Sequence, residues 1–308
     1  MENLLPLQVG VTAIENLGLA LMVGLLACKH CVAASVPTHK ERDNILLRVF
    51  AGTSIVTFIV HIVSFWLALA SMADVPLSQA FRLIASSAAA TQIGHMWIAG
   101  MVALTLLAGT SVTRMFPRWR DMFAWSLLVA LILSRSAASH AASADNATIA
   151  ILIDALHLLG TSVWMGSVIV AALLVVPGLM HQSGGQRAAS LMSFASFLSL
   201  AATVALAAVV LTGVYKTWNN LGPPAPFAFT NYVNILAVKL ALVVLATGLG
   251  AGNRFFVMPL LGKSLAAPEA NGDRAQRTFI LILRIESGVL LLVLIAASLL
   301  SFTSPTGN

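Results

Sequence analysis

Charge is what this chain has least of. Lysine, arginine, aspartate and glutamate make up 9% of its 308 residues, where a soluble globular protein carries about 25%. Cysteine is scarcer still. Cys28 and Cys31 are the whole complement, too close together to act as a long-range staple, so a disulfide framework is excluded. No P-loop and no phosphorylatable aspartate motif is present, which argues against an ATP-driven pump. No serine or cysteine triad pattern stands out, and no window reads as the strand a Rossmann fingerprint would need. An enzyme is therefore not expected. The N-terminal MENLLPLQVGV has no basic n-region and carries Glu2; the expectation is a retained first span rather than a cleaved signal peptide.

What fills the chain instead is apolar sequence. Hydrophobic residues reach 59% and the mean hydropathy is +0.93, which leaves a polytopic membrane protein as the class. A spanning helix needs about 20 mostly apolar residues. Windows at 11–34, 47–72, 91–113, 121–138, 149–177, 190–215, 231–256 and 278–302 meet that need, the fourth being the shortest. They predict an all-α bundle of eight transmembrane helices, in two membrane halves at 1–140 and 141–308. The net charge of +6 is read as an orientation signal, not as nucleic-acid binding. Lys29, Lys40, Arg42, Arg48, Arg114, Arg118, Arg120, Arg187, Arg254, Lys263, Arg274 and Arg277 fall in or beside the odd-numbered connections, against only Arg82, Arg135 and Lys216 on the opposite side. By the positive-inside rule the odd connections are cytoplasmic and both termini face outward, which in a bacterium is the periplasm.

Within the fifth window, Asp154, His157, Thr161 and Trp164 succeed one another at spacings of three, four and three. That spacing puts all four on one helical stripe. Ionisable groups within a span are costly and face the bundle interior or a water-filled cavity. His140, just before this window, and His95 with Met96, early in the third, fall at a similar outward depth, as does Met72 at the end of the second. Imidazoles and thioethers are copper ligands, and a nearby carboxylate either fixes a histidine tautomer or ligates the metal itself. The plain alternatives are hydrogen bonds between helices for the acid and the histidines, and packing for the methionines. His61, alone in VTFIVHIVSFW, reads first as a polar tie between helices, otherwise as a relay ligand or half of a haem pair. Cys28, His30 and Cys31 form C-K-H-C at the cytoplasmic end of the first span, either as a soft-metal exit site or as buried thiols. Glu15 and Lys239 share a depth and are expected to pair, or Lys239 pairs with Asp154. Trp66, Trp119, Trp125 and Trp218 read as interfacial anchors.

HLLGTSVWMG at the fifth window resembles the histidine-to-tryptophan signature of the CopD family of copper resistance membrane proteins. FASFLSLAATVALAAVVLTGVYKTW, NYVNILAVKLALVVLATGLGAGNRFFVMP and RTFILILRIESGVLLLVLIAASLL are similar to that family's last three helices in order, including Lys239, Asn253 and Arg254. SHAA around His140 and TQIGHMW around His95 resemble its earlier motifs. The resemblance implies an eight-helix protein of the bacterial inner membrane that moves copper ions, from periplasm toward cytoplasm, in copper homeostasis or resistance. It implies a periplasmic CopC-type copper-binding partner, and it favours the metal reading for His140, Asp154 and His157. Two readings of other kinds stand beside it. One is a haem-binding redox protein using histidines of facing helices, which a strong Soret band would reveal. The other is a membrane partner that binds copper without transporting it.

Overall fold

In the computed structural model, residues 4–35, 40–111, 116–139, 146–181, 184–221, 230–266 and 271–303 are described. Among them the chain is helical: α1 (Leu5–Ser35), α2 (Lys40–Met72), α3 (Leu77–Ala90), α4 (Gln92–Thr110), α5 (Pro117–Ala137), α6 (Ala147–Val170), α7 (Val176–Leu179), α8 (Gly184–Leu221), α9 (Asn231–Gly252), α10 (Met258–Ala266) and α11 (Asn271–Leu300). The protein is a polytopic helical membrane protein. Among the described residues, seven helical stretches are long and apolar enough to cross a bilayer: Leu5–Val32, Asp43–Met72, Gln92–Thr110, Ala147–Leu179, Gln186–Asn219, Asn231–Lys263 and Arg274–Leu300.

The fourth window also forms a helix, α5, but it does not meet the same measure of apolarity. Arg118, Arg120 and Asp121 crowd its first turns and Arg135 its last. At about 1.5 Å per residue its 21 residues still reach roughly 30 Å. Two of these charges are turned inward to partners from α1: Asp121 pairs with Lys29 at 2.5 Å and Arg135 with Glu15 at 3.7 Å.

Between the second and third windows lies a helix that hydropathy does not foresee. The chain leaves α2 through Asp74, which takes a φ of 51°, a left-handed conformation that aspartate tolerates better than most residues. It then forms α3, whose 14 residues are too few to span. Trp66 belongs to this corner. Its indole donates to the carbonyl of Leu77 at 2.9 Å and its ring meets Phe81 edge-on. It fastens α3 to α2 in addition to any contact with lipid headgroups.

Two helices run through π turns, each for the same reason. Residues Ala171–Val175 form a π turn ahead of Pro177, and Asn253–Val257 form one ahead of Pro259. Proline has no N–H to give and its ring crowds the carbonyl four residues back. A wider turn just upstream relieves that crowding without breaking the rod. So α6 and α7 continue each other, as do α9 and α10.

α1 and α6 are the axis of the bundle. α1 packs against α2, α6 and α11, and α6 against α1, α5 and α8. α4 lies on α2 and α5, and α9 rests on α11. One apolar core joins both halves of the chain, from Leu19 and Met22 on α1 through Leu104, Leu128 and Met165 to Phe194 and Leu290. The α1–α6 contact is made by glycine. A Cβ on Gly166 would stand 1.8 Å from the Ala20 carbonyl oxygen, and one on Gly24 only 2.2 Å from the Gly166 backbone. Small residues let membrane helices approach to backbone contact, where dispersion rather than the hydrophobic effect holds them.

A polar network closes the half of the bundle nearer the start of α1. Glu15 is 5% exposed. Its carboxylate accepts from His61 Nδ1 at 2.7 Å and faces the Arg135 guanidinium. Arg135 also donates to Asn16 Oδ1 at 2.7 Å, and the Asn16 amide reaches Ser298 at 3.4 Å. Four helices, α1, α2, α5 and α11, are tied at one level. The expected Glu15–Lys239 pairing is not the one found; the partner of Glu15 comes from α5, whose Arg135 reads in the sequence as a charge of the outer connection.

Gly166→Leu must push α1 from α6. Overpacking of this kind costs about 1–3 kcal/mol or more, and a lower unfolding midpoint in detergent is expected. Gly248→Ala, where no atom lies within 4 Å of the added carbon, should leave the midpoint unchanged. Arg135→Met leaves Glu15 with only His61 and the Ser64 hydroxyl. Breaking such a buried pair costs roughly 3–5 kcal/mol, and Glu15→Gln combined with Arg135→Met should recover much of the loss on the same unfolding measurement.

Candidate metal site

The stripe on α6 faces α8 and α9. Asp154 and His157 lie about 10 and 15 Å along the helix from its first residue, and α8 returns beside them in the opposite direction. This makes two rungs between the helices. Asp154 pairs with the ammonium of Lys216. One turn further, Nδ1 of His157 lies 2.9 Å from Oγ1 of Thr212. α8 can come close here because Gly160 offers no side chain toward it; a Cβ there would meet the Ala205 carbonyl at 3.2 Å. Gly213 likewise leaves room for the imidazole, whose Cε1 would be 3.5 Å from a Cβ at that position.

The Thr212 rung assigns the histidine tautomer. A hydroxyl has one proton, and that of Thr212 goes to the Ala208 carbonyl at 2.6 Å. Its oxygen must then accept from His157, so Nδ1 carries the N–H. The Val209 carbonyl, 3.3 Å from the same hydroxyl, also lies against the imidazole and can only accept. On this tautomer the other nitrogen, Nε2, keeps its lone pair, and among the described residues no hydrogen bond engages it. A neutral imidazole held at one nitrogen with the other free is the form in which histidine binds metals.

The carboxylate is differently placed. Asp154 is committed to Lys216, and Lys239 on α9 lies near enough for its charge to act on both Lys216 and His157. Lys239 therefore faces the cluster rather than pairing with Asp154 or with Glu15. A cation that used Asp154 would have to displace Lys216. The pairing of Asp154 with a lysine from the last turns of α8 is not apparent from the sequence.

The remaining sequence candidates are spread over the fold. His140 lies outside the described residues. His95 is exposed at the start of α4, its Nε2 donating to the Ala89 carbonyl at 3.0 Å. Met96 beside it is half-buried and Met72 is exposed. His61 has both nitrogens against oxygen acceptors, Nδ1 on Glu15 and Nε2 at 3.3 Å from the Trp97 carbonyl. Trp97 returns the contact by donating to the His61 carbonyl at 3.1 Å, and the two rings stack. His61 is thus a tie between α2 and α4, and in this arrangement offers no lone pair. At the other end of α1, Cys28 is fully buried with its thiol donating to the Ser167 carbonyl at 3.4 Å, Cys31 is half-buried, and neither is in a disulfide. His30 is exposed, with Nδ1 at 2.7 Å from the Leu26 carbonyl. Among the described residues no three histidine, cysteine, aspartate or glutamate side chains gather as a metal cage.

The residues that sequence reasoning passes over are Thr212 and Lys216, which set the chemistry of the α6 stripe, and Asn16 and Arg135, which set that of Glu15. Arg135 and Lys216 have a visible signal, each being a charge at the end of an apolar window.

No curated protein and no solved structure matches the chain. The family model described as copper resistance protein D matches residues 188–300. That segment runs from early in α8 to the end of α11 and includes Thr212, Lys216 and Lys239, which face the α6 stripe. Over α8 to α11 the chain is similar to the CopD family of copper resistance membrane proteins.

Proposed function

We propose that this protein carries copper ions across the bacterial inner membrane, from periplasm to cytoplasm, and that His157 receives the ion. The observation that carries the reading is the state of His157: within the bundle, on an enclosed span, with its tautomer fixed by Thr212 and the Nε2 lone pair unused. A single imidazole does not hold copper against water, so further ligands are needed. His140, which precedes α6 in the sequence, is the first; Asp154 is the second, once Lys216 releases it. His95 is an outlying candidate at that end, with Met72 and Met96 near it. The excess of lysine and arginine at the opposite end supports a cytoplasmic assignment there and a periplasmic one for both termini, with eight spans including α5. On this reading Cys28, His30 and Cys31 stand at the cytoplasmic side, where thiols stay reduced and suit Cu(I). A periplasmic protein of the CopC type would hand copper to the His140–His157 end.

Haem ligation by facing histidines has less support. It needs two imidazoles that each present a lone pair across a gap, and His61 has both nitrogens engaged. A protein that only receives copper would share the entry site, so flux is what separates it from a carrier.

His157→Ala should abolish copper-dependent accumulation in cells and lower copper binding by the purified protein; wild-type values for both would end the assignment. Thr212→Val keeps His157 but removes the group that fixes its tautomer. Loss of such a partner typically weakens metal affinity by about 10–100-fold, readable by competition with a chromophoric chelator. Copper entry into proteoliposomes is the expected result for the wild-type protein, whereas binding without entry would make it a receptor.

A further inference from the structure

A cavity of about 250 Å³ lies between α6, α8, the α9–α10 rod and α11. Its wall is mostly apolar, but it holds one acid. Glu286 is 4% exposed and lines the cavity. Across from it is Gly250, where a Cβ would come to 3.1 Å from Oε1, so the missing side chain leaves space for the carboxylate. No ion pair or hydrogen bond to Glu286 is present among the described residues.

Asn253, also 5% exposed, lines the same cavity. Its amide nitrogen makes a long contact with the Phe279 carbonyl at 3.5 Å, and its Oδ1 is buried with no partner. Arg254 is the other charged residue of the wall. Within that wall it donates to Thr203 Oγ1 at 2.7 Å and lies over the Phe255 ring rather than pairing with Glu286. Two oxygen acceptors, one of them able to carry full charge, therefore share the cavity, and among the described residues no donor or cation of the wall is paired with either. A carboxylate in such surroundings is costly unless a cation joins it. The thioether of Met258 is the soft donor in the same wall.

The cavity continues the α6 stripe. From His157 to Trp164, which lines the cavity, is seven residues, about 10 Å of helix. Thr161 lies between them, and its Oγ1 is buried and unpartnered. Unused acceptors thus lead from His157 toward Glu286.

We propose that this cavity is a second binding site for the transported cation, with Glu286 supplying the charge and Asn253 Oδ1 and Met258 the further ligands. The inference rests on the reading of the protein as a copper carrier and adds the station after His157 on the way to the opposite end.

The test is a Cu(I) titration of the purified full-length protein in detergent, under anaerobic conditions and against a chromophoric chelator. Wild type, Glu286→Gln, Asn253→Ala and His157→Ala are compared. Glu286→Gln is expected to bind one ion per chain fewer than wild type, with Asn253→Ala weakening that same ion at least tenfold. Glu286→Gln keeps shape and removes a buried charge, so it should fold, and its unfolding midpoint is measured alongside. Should it misfold, Asn253→Ala decides by the same readout. Wild-type stoichiometry and affinity in both variants would overturn the second site, and the carrier reading would survive if His157→Ala still lost an ion. Loss of an ion in Glu286→Gln but none in His157→Ala would leave the cavity site standing and remove the first. No copper bound to wild type would sink both.

Discussion

The close approach of α1 to α6 is the contact on which the other placements depend. Helices in lipid gain little from burying apolar surface against one another, so their order is decided by where backbones can meet. Gly24 and Gly166 supply that meeting, and Gly160 supplies a second one between α6 and α8. The two glycines on α6 are six residues apart and therefore point to widely separated sides of the helix. α6 is held from both sides, which makes it the most enclosed span in the bundle, while α9 is the least enclosed. A helix so enclosed can carry an aspartate and a histidine without exposing either to hydrocarbon.

Enclosure alone does not make polar groups useful, because most of those inside this bundle are already satisfied. Glu15, His61, Arg135 and Asn16 use one another. Asp154 uses Lys216. Such groups stitch helices and resist disturbance, since removing one partner strands the other. Among the described residues the interior groups with capacity left over are fewer: His157 Nε2, Thr161 Oγ1, Asn253 Oδ1 and the Glu286 carboxylate. Other unpartnered atoms, on Ser111, Arg120, Arg135, Ser136 and Gln276, sit within about two turns of a helix end, where water is near. The four interior ones share the region between α6, α8, α9 and α11. The division between satisfied and unsatisfied groups is what gives the bundle a functional side.

Much of the fold is legible in the sequence. Long apolar windows predict the helices, because in lipid a chain has few other ways to satisfy its backbone. The stripe of Asp154 and His157 comes from helical spacing alone. What spacing within a single segment does not encode is the partner across the gap. Lys216 looks like a loop charge because α8 extends well past the apolar window that predicts it. Arg135 lies inside its window, but so near the end of α5 that it too reads as a charge of the connection. Equal depth suggests a pairing of Glu15 with Lys239, but depth says nothing about which helices are neighbours. α3 escapes because a search tuned to spans passes over an amphipathic helix of 14 residues.

Each of the two π turns lies a fixed step before a proline, Pro177 in one rod and Pro259 in the other, so their cause is local and is written in the sequence. Their consequence is not local. A π turn takes in one residue more than an α turn and so rotates the downstream part of the rod by about 100° relative to an unbroken helix. In the α9–α10 rod that turn contains Asn253 and precedes Met258, and both line the cavity with Glu286. In an unbroken α-helix, residues 253 and 258 are five apart and would diverge by roughly 140° around the axis; a wider turn between them brings them nearer one face. The proline that forces the turn is thereby what allows an amide oxygen and a thioether to share one cavity. The site at Glu286 is built by a backbone constraint, and only then filled in by side chains.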